Sequence, residues 1–299
     1  MGLLSNWVES LDYRLEILPS CTRHRSPRST CNQCLEACER EAISLFEGKP
    51  VLDGKNCVEC GNCISACPVQ AVAGIFPSRT VIDNQLVITD ESIPTVKELL
   101  VSYQKGIRSI ISEDPALLDV WKERINDANA VLEQLGEKPF SMAVKTIAKT
   151  EVKYTRRELF SFWRSESKSY LRQFAPASWR FNQQDLDLTK YYSDYQFTQI
   201  TLNVEKCTLC MACQRLCERK CLRLSENGFT ISAQSCSSCQ LCADICPENA
   251  ITVEDGILPA QQLEYSTYTK QCTVCSNTFE TLREHEEKCV MCTKQEGFR

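Results

Sequence analysis

The sequence predicts an α+β fold in which two small cysteine-held modules flank a cysteine-free α/β-helical middle domain, with a short cysteine-paired segment at the C-terminal end. Three observations carry this: 21 cysteines in 299 residues, their gathering into three groups separated by long cysteine-free stretches, and a repeat in their spacing. The rest of the composition is that of an ordinary globular chain, with 43% hydrophobic and 24% charged residues and a formal net charge of −5, which excludes a disordered or collagen-like protein. The first ten residues have no basic n-region and no apolar h-region, and no apolar run reaches about 18 residues. Export and a membrane span are therefore not expected. An odd number of cysteines in short repeated spacings fits metal thiolates in a reducing compartment better than a disulfide framework, so the expected location is cytoplasmic.

Cys57, Cys60, Cys63, Cys67 and Pro68 form a C-x2-C-x2-C-x3-C-P run, and Cys236, Cys239, Cys242, Cys246 and Pro247 repeat it. Three thiolates two residues apart on a tight turn can wrap three irons of a cubane, while the fourth, opening a helix, is sent to a second cluster. Each run therefore calls for a partner run. Cys207, Cys210, Cys213 and Cys217 stand 29 residues ahead of the second run, and the same shift maps Cys31, Cys34 and Cys38 onto Cys60, Cys63 and Cys67. It asks for a cysteine at position 28, where Arg28 stands. Cys21 is the nearest candidate, displaced by an insertion within Cys21–Cys31, and His24 in that insertion is an alternative ligand.

The residues after each fourth cysteine check the repeat independently. Four positions beyond it stand Ala42, Ala71, Ala250 and Cys221, each followed by an aliphatic residue: Ile43, Val72, Ile251 and Leu222. Cys221 thus occupies a small-residue packing slot and is expected to behave as a buried small hydrophobe rather than a ligand. Beyond the slot, Ala42–Leu52 and Cys221–Ile231 are apolar runs broken by Glu-Gly and Asn-Gly, and both predict hairpins. Such hairpins would supply backbone amides to nearby sulfurs and shield them from water.

Both modules resemble bacterial-type ferredoxins carrying two [4Fe-4S] clusters, a family with a pseudo-twofold β-α-β repeat. The resemblance covers roughly residues 15–90 and 200–262. It implies ligand exchange between paired runs: cluster one on Cys21, Cys31, Cys34 and Cys67, cluster two on Cys57, Cys60, Cys63 and Cys38, cluster three on Cys207, Cys210, Cys213 and Cys246, and cluster four on Cys236, Cys239, Cys242 and Cys217. The chain departs from the family pattern in the long Cys21–Cys31 gap and in having Glu39 and Glu218, not proline, after Cys38 and Cys217.

Cys272, Cys275, Cys289 and Cys292 form a C-x2-C-x13-C-x2-C pattern, the ligand set of a structural four-cysteine zinc site, with a helix expected somewhere in Thr278–Lys288. His285 is expected to be a surface residue. The expected fold is thus two ferredoxin-like dicluster modules (1–90 and 201–262) flanking a middle domain, with a small C-terminal zinc-binding module (263–299). The middle domain (91–150) reads as βαβ: a helix after Pro94, a short strand at Ile107–Ile111, a helix from Pro115 to Leu135 and a strand at Phe140–Val144. Neither strand is followed by a nucleotide-binding loop, and a spacer or docking role is expected.

Residues 151–200 form a basic aromatic helical linker. Lys and Arg are interleaved with Tyr154, Phe160, Phe162, Trp163, Tyr170, Phe174 and Trp179. The acidic chain carries no nucleic-acid motif, so packing or partner docking is expected there rather than nucleic-acid contact. Thr155-Arg-Arg-Glu-Leu-Phe resembles segments near the modules of ferredoxins that serve molybdenum reductases.

Four clusters at about −2 each and a four-thiolate zinc site at about −2 take the loaded chain to a charge of about −15. Arg23, His24, Arg25 and Arg28 are the densest cations beside a ligand, so cluster one is expected to differ in potential. The chain shows no flavin motif and no catalytic triad spacing. The functional expectation is an electron carrier, or an electron-transfer subunit of an oxidoreductase, holding four [4Fe-4S] clusters and one Zn2+ and linking a low-potential donor to a partner oxidoreductase. The resemblance implies a molybdenum- or tungsten-dependent partner such as a formate dehydrogenase. The alternative is an iron-sulfur and zinc accessory or regulatory protein serving assembly, sensing or nucleic-acid contact.

Overall fold

A computed structural model describes residues 15–74, 79–146, 186–226 and 228–296. The chain divides into two compact units. One takes the chain up to Cys21 and Asn32–Tyr191, and the other takes Thr22–Cys31 and the chain from Tyr192 onward. The expected linker at 151–200 lies outside the described residues through position 185.

In the first unit, β1 (Glu16–Ile17), β2 (Ile43–Phe46), β3 (Lys49–Leu52) and β4 (Val72–Ala73) frame the cysteine runs. β1 pairs antiparallel with β4, Ile17 opposite Val72. β2 and β3 form the hairpin that Glu-Gly predicts, with Glu47 at φ 49° and Gly48 at φ 77°, the double left-handed turn that matches strand twist. Ile43, Ile64, Ala71, Val72 and Leu186 form a core that includes Cys21, Cys63 and Cys67.

The same unit holds a four-stranded sheet of β5 (Thr80–Ile82), β6 (Gln85–Val87), β7 (Ser109–Ser112) and β8 (Ser141–Val144), in that order. β5 and β6 are an antiparallel hairpin, and β6, β7 and β8 run parallel. The crossovers are the helices Val96–Gln104 and Pro115–Gln134. The domain is thus one crossover longer than the single strand–helix–strand unit legible in the sequence. Each helix starts on a side-chain cap: the Glu98 N–H donates to Thr95 Oγ1 at 3.2 Å and the Ala116 N–H to Asp114 Oδ1 at 2.8 Å. Leu99, Ile110, Trp121, Ile125 and Leu132 are buried between helices and sheet. At the edge of that core Arg79 Nε pairs with Glu98 Oε1 at 2.8 Å, and the Arg79 guanidinium also lies over the Trp121 ring.

In the second unit, β9 (Tyr195–Leu202), β10 (Leu222–Ser225), β11 (Gly228–Ser232) and β12 (Ile251–Pro259) repeat the arrangement of the first. β9 pairs antiparallel with β12, Leu202 opposite Ile251, as Ile17 opposes Val72. β10 and β11 form the second hairpin, which β13 (Gln262–Tyr265) extends along β11. Gly228 sits at φ +132°, where an added Cβ would stand 2.5 Å from the Tyr265 carbonyl oxygen, so only glycine permits this strand contact. Ile200, Leu222, Phe229, Ile231 and Ile251 form the core.

Two readings of the sequence are corrected here. Residues 195–200, read as the end of the helical linker, begin β9; Gln196, Thr198, Ile200 and Leu202 are buried in alternation along it, the period of a strand. The helix expected within Thr278–Lys288 is instead β15 (Thr278–Thr281), paired antiparallel with β14 (Tyr268–Gln271). β-branched and aromatic Thr278, Phe279 and Thr281 favour the pleated conformation, and the helix of this segment comes later, at Val290–Glu296.

Candidate metal centres

The loops that carry the cysteines share a backbone conformation that their sequences do not share. In each C-x2-C-x2-C run the second and fourth residues after the first cysteine have positive φ: Glu59 and Gly61, Leu209 and Met211, Ser238 and Gln240. Left-handed residues interspersed in a turn aim successive backbone N–H groups into one concavity, a nest for anions. The Glu59 N–H accordingly lies 3.4 Å from Cys57 Sγ, and backbone N–H groups of Leu209, Ser238 and Leu241 are directed at Cys207, Cys236 and Cys239. The run through Cys31 and Cys34 departs from this: Asn32 has φ −135°.

A second turn recurs after all four fourth cysteines. Three residues beyond each stands a left-handed residue, Glu41, Gln70, Lys220 or Asn249. The next residue then donates its N–H back to the cysteine sulfur: Ala42 to Cys38 at 3.2 Å, Ala71 to Cys67 at 3.1 Å, Cys221 to Cys217 at 3.4 Å and Ala250 to Cys246 at 3.2 Å. The small-residue slot is thus set by backbone approach to a sulfur.

Several sulfurs converge. A cavity of about 230 Å3 is lined by Cys38, Cys57, Cys60 and Cys63 under Ile43, Leu52 and Val58. Another is lined by Cys207, Cys210, Cys213 and Cys246 under Phe229 and Ile251. Cys236, Cys239 and Cys242 lie close enough to Cys217 for their charges to interact. Burial, reinforced by these neighbours, pushes the thiols of Cys63 and Cys213 up to about 12, that of Cys239 up to about 11, and raises those of Cys207 and Cys242. Buried thiolates crowded this way are unstable without positive charge among them. Sulfurs lining a cavity, N–H donors aimed at them and a missing counter-charge together fit an iron–sulfur cluster.

Cys21 is buried in the first unit's core, beside Cys34, Cys63 and Cys67. Cys31 groups with the second unit, near Cys239. The segment Thr22–Cys31 is tied there by Arg25 Nη1 to Glu218 Oε1 at 3.0 Å and by the Thr30 N–H and Oγ1–H to the Asp244 carboxylate at 2.8 and 2.9 Å. Arg23 donates to the Thr30 and Cys31 carbonyls. Two of the cations expected to act on a cluster are therefore engaged in holding their own segment. The hydroxyls of Thr22 and Ser29 are buried in it without a protein partner.

Cys272, Cys275, Cys289 and Cys292 present four sulfurs all within 4.8 Å of one another, with Cys275 Sγ 3.8 Å from Cys289 Sγ. An ion at the centre of a tetrahedron with bonds of about 2.3 Å separates its sulfurs by about 3.8 Å. The group therefore has the dimensions of a single-ion site, and His285 is exposed outside it. The Cys289 N–H donates to Cys272 Sγ at 3.3 Å. Together with the N–H groups of Cys275 and Val274 it lowers the Cys272 thiol to about 6.

Comparison with known proteins agrees with this chemistry. Residues 29–71 match a 4Fe-4S dicluster domain and residues 229–252 a 4Fe-4S binding domain. The first match contains Cys31 through Cys67 and the second Cys236 through Cys246; neither includes Cys21 or Cys207–Cys217. Over 39 residues the chain is 44% identical to an uncharacterized ferredoxin of Methanocaldococcus jannaschii, across 13% of this chain and 26% of that protein. The chain thus spans about a quarter of the length of the curated relative it matches. Among the described residues no helix is long and apolar enough to cross a membrane. Two stretches of the chain thus match 4Fe-4S domains, and a four-cysteine group with the dimensions of a single-ion site lies beyond the second.

Proposed function

We propose that this protein is a cytoplasmic electron carrier holding four [4Fe-4S] clusters on the four cysteine sets given above, with one structural Zn2+ on Cys272, Cys275, Cys289 and Cys292. The observation that carries this reading is the fourfold turn: each fourth cysteine is followed by a left-handed residue and then by an N–H that donates to its sulfur. A structural element present four times supports four centres, one for each fourth cysteine. When bound, each cluster supplies reversible one-electron transfer with no bond made to a substrate. The chain's residues position the sulfurs, offer N–H groups to them, and exclude water with Ile43, Phe229 and Ile251. Electrons pass between a low-potential donor and a partner oxidoreductase. The partner class is a molybdenum- or tungsten-dependent enzyme such as a formate dehydrogenase, a reading supported by the resemblance of Thr155–Phe160 to segments of ferredoxins serving such enzymes.

The test is metal and acid-labile sulfide analysis of anaerobically purified protein, with EPR of the reduced sample. About 16 iron, 16 sulfide and one zinc per chain, with spin-coupled cluster signals, are expected from four cubanes and one four-cysteine ion. About 12 iron would remove the set containing Cys21, and an iron-free zinc protein would overturn electron transfer.

A further inference from the structure

The slot four residues past the fourth cysteine is filled by a methyl group in three repeats, Ala42, Ala71 and Ala250, and by a thiol in one, Cys221. The backbone does not require the difference, since all four positions use the same N–H to reach sulfur. Cys221 is 2% exposed and packs with Cys217 and Cys236 in the second unit's core. Its thiol lies against both sulfurs, and its N–H donates to Cys217 Sγ at 3.4 Å. A second group points the same way. Thr198, on β9, is 1% exposed, and its hydroxyl finds no protein partner of ordinary hydrogen-bond geometry while lying within reach of the Cys236 sulfur. Two buried donors therefore converge on one pair of cysteines.

We propose that Cys221 and Thr198 set the reduction potential of the cluster on Cys217, Cys236, Cys239 and Cys242, holding it above that of the companion cluster on Cys207, Cys210, Cys213 and Cys246. The inference rests on the four-cluster reading and deepens it. Reduction adds one negative charge to a cluster whose charge is shared with its thiolate sulfurs. S–H and O–H donors aimed at those sulfurs stabilise the more negative state more than the less negative one. The companion cluster meets the Ala250 methyl at the corresponding place and gains nothing from it. Electrons entering the second unit therefore come to rest on the Cys217–Cys242 side. Both are positioning residues: they make no bond to iron and act through the sulfurs.

The test uses the full-length, anaerobically purified protein in four forms: parent, Cys221→Ala, Cys221→Ser and Thr198→Val. Each is analysed for iron and sulfide and titrated redox-potentiometrically with EPR detection. Alanine already fills this slot in the other three repeats, so Cys221→Ala is expected to keep its full iron. One cluster should then be harder to reduce, its reduced-to-oxidised ratio at fixed potential falling about tenfold, which is about 59 mV for one electron. Thr198→Val should move the same cluster in the same direction, and Cys221→Ser, which keeps an O–H, should move it least. Iron-replete variants that titrate as the parent does would overturn the proposal. So would loss of one cluster's iron from both Cys221 variants, which would make Cys221 a ligand. Failure of the underlying reading shows separately: the parent would hold iron for fewer than four clusters, or Cys236→Ser would cost it none.

Discussion

Removing the metal from the C-terminal four-cysteine group should unfold β14, β15 and the Val290–Glu296 helix while leaving β9 and β12 paired. The expectation follows from how little else holds that segment. Its buried residues are Cys272, Thr281, Leu282 and Cys292; Leu282 alone is a large apolar side chain, and burying one leucine is worth about 1.5–3 kcal/mol. A lone two-stranded hairpin is marginal in water. The β14–β15 ladder and the exposed Lys294–Glu248 ion pair add little to that, so a four-thiolate ion, with an apparent binding free energy of about 10–16 kcal/mol, is the largest single stabilising contribution to the segment. The assay has two parts. X-ray absorption at the zinc edge should show four sulfur neighbours near 2.3 Å. Hydrogen exchange on Cys289→Ser should show lost protection over residues 268–296, with the cluster absorbance unchanged. Protected amides in a zinc-free variant, or sulfur scattering from iron instead of zinc, would refute the reasoning.

Gly228→Ala places a Cβ 2.5 Å from the Tyr265 carbonyl oxygen at φ +132°, so β11 and β13 must part; we expect a loss of about 3 kcal/mol, read from chemical denaturation of the second unit, and an unchanged midpoint would contradict the geometry. Arg79→Met leaves Glu98, buried at 7% side-chain exposure, without its partner and should cost about 3–5 kcal/mol; Arg79→Met with Glu98→Leu should recover most of it, and a double variant no more stable than the single would show that the ion pair is not the cause. Glu41→Gly, at an exposed position with φ 50°, should stabilise the first unit by about 1 kcal/mol, visible as a higher melting temperature. In the metal-free chain the thiols of Cys63 and Cys213 are raised from 9.0 to about 12, so over that window the folded form holds protons that the unfolded form has released. These two thiols should therefore leave stability unchanged below pH 9 and lower it as pH rises from 9 toward 12, followed by circular dichroism of the apoprotein at low temperature; a curve that does not fall between pH 9 and 11 would count against buried thiols.

What the sequence makes legible, and what it hides, follows from how each feature is encoded. Glu47-Gly48 and the slot residues Ala42, Ala71 and Ala250 are visible because one residue type answers one local demand. The long helix from Pro115 is visible through its apolar period, Trp121, Ile125, Ala128 and Leu132 being its buried face. β9 is less visible because its buried positions include Gln196 and Thr198, polar residues that hydropathy assigns to a surface. The strand at Thr278–Thr281 was obscured by the expectation that zinc ligands bracket a helix, although its β-branched content favours a sheet. The left-handed residues of the cysteine loops are the least visible. Glu59, Leu209, Met211, Ser238, Gln240, Glu41, Gln70 and Lys220 are not residues that seek positive φ, and only Asn249 belongs to a type that tolerates it readily. Nothing local asks for their conformation; the wrapping of sulfurs imposes it. The attachment of Thr22–Cys31 to the second unit through Glu218 and Asp244 is likewise hidden, because partners some two hundred residues apart leave no pattern in a single sequence.

These hidden features share one physical cause. Nine non-glycine residues in the cysteine loops and the turns after the fourth cysteines have positive φ, at roughly 1 kcal/mol each, a total comparable with the whole stability of an ordinary domain. The same loops bury thiols whose ionised forms repel one another. Without metal, then, the fold carries both backbone strain and an electrostatic penalty. With metal, the left-handed residues are what aim the N–H groups at sulfur, and the crowded thiolates share the positive charge they otherwise lack. Loading and folding are therefore one equilibrium in this protein, and the conformations that look least favourable in the bare chain are those that the bound centres select.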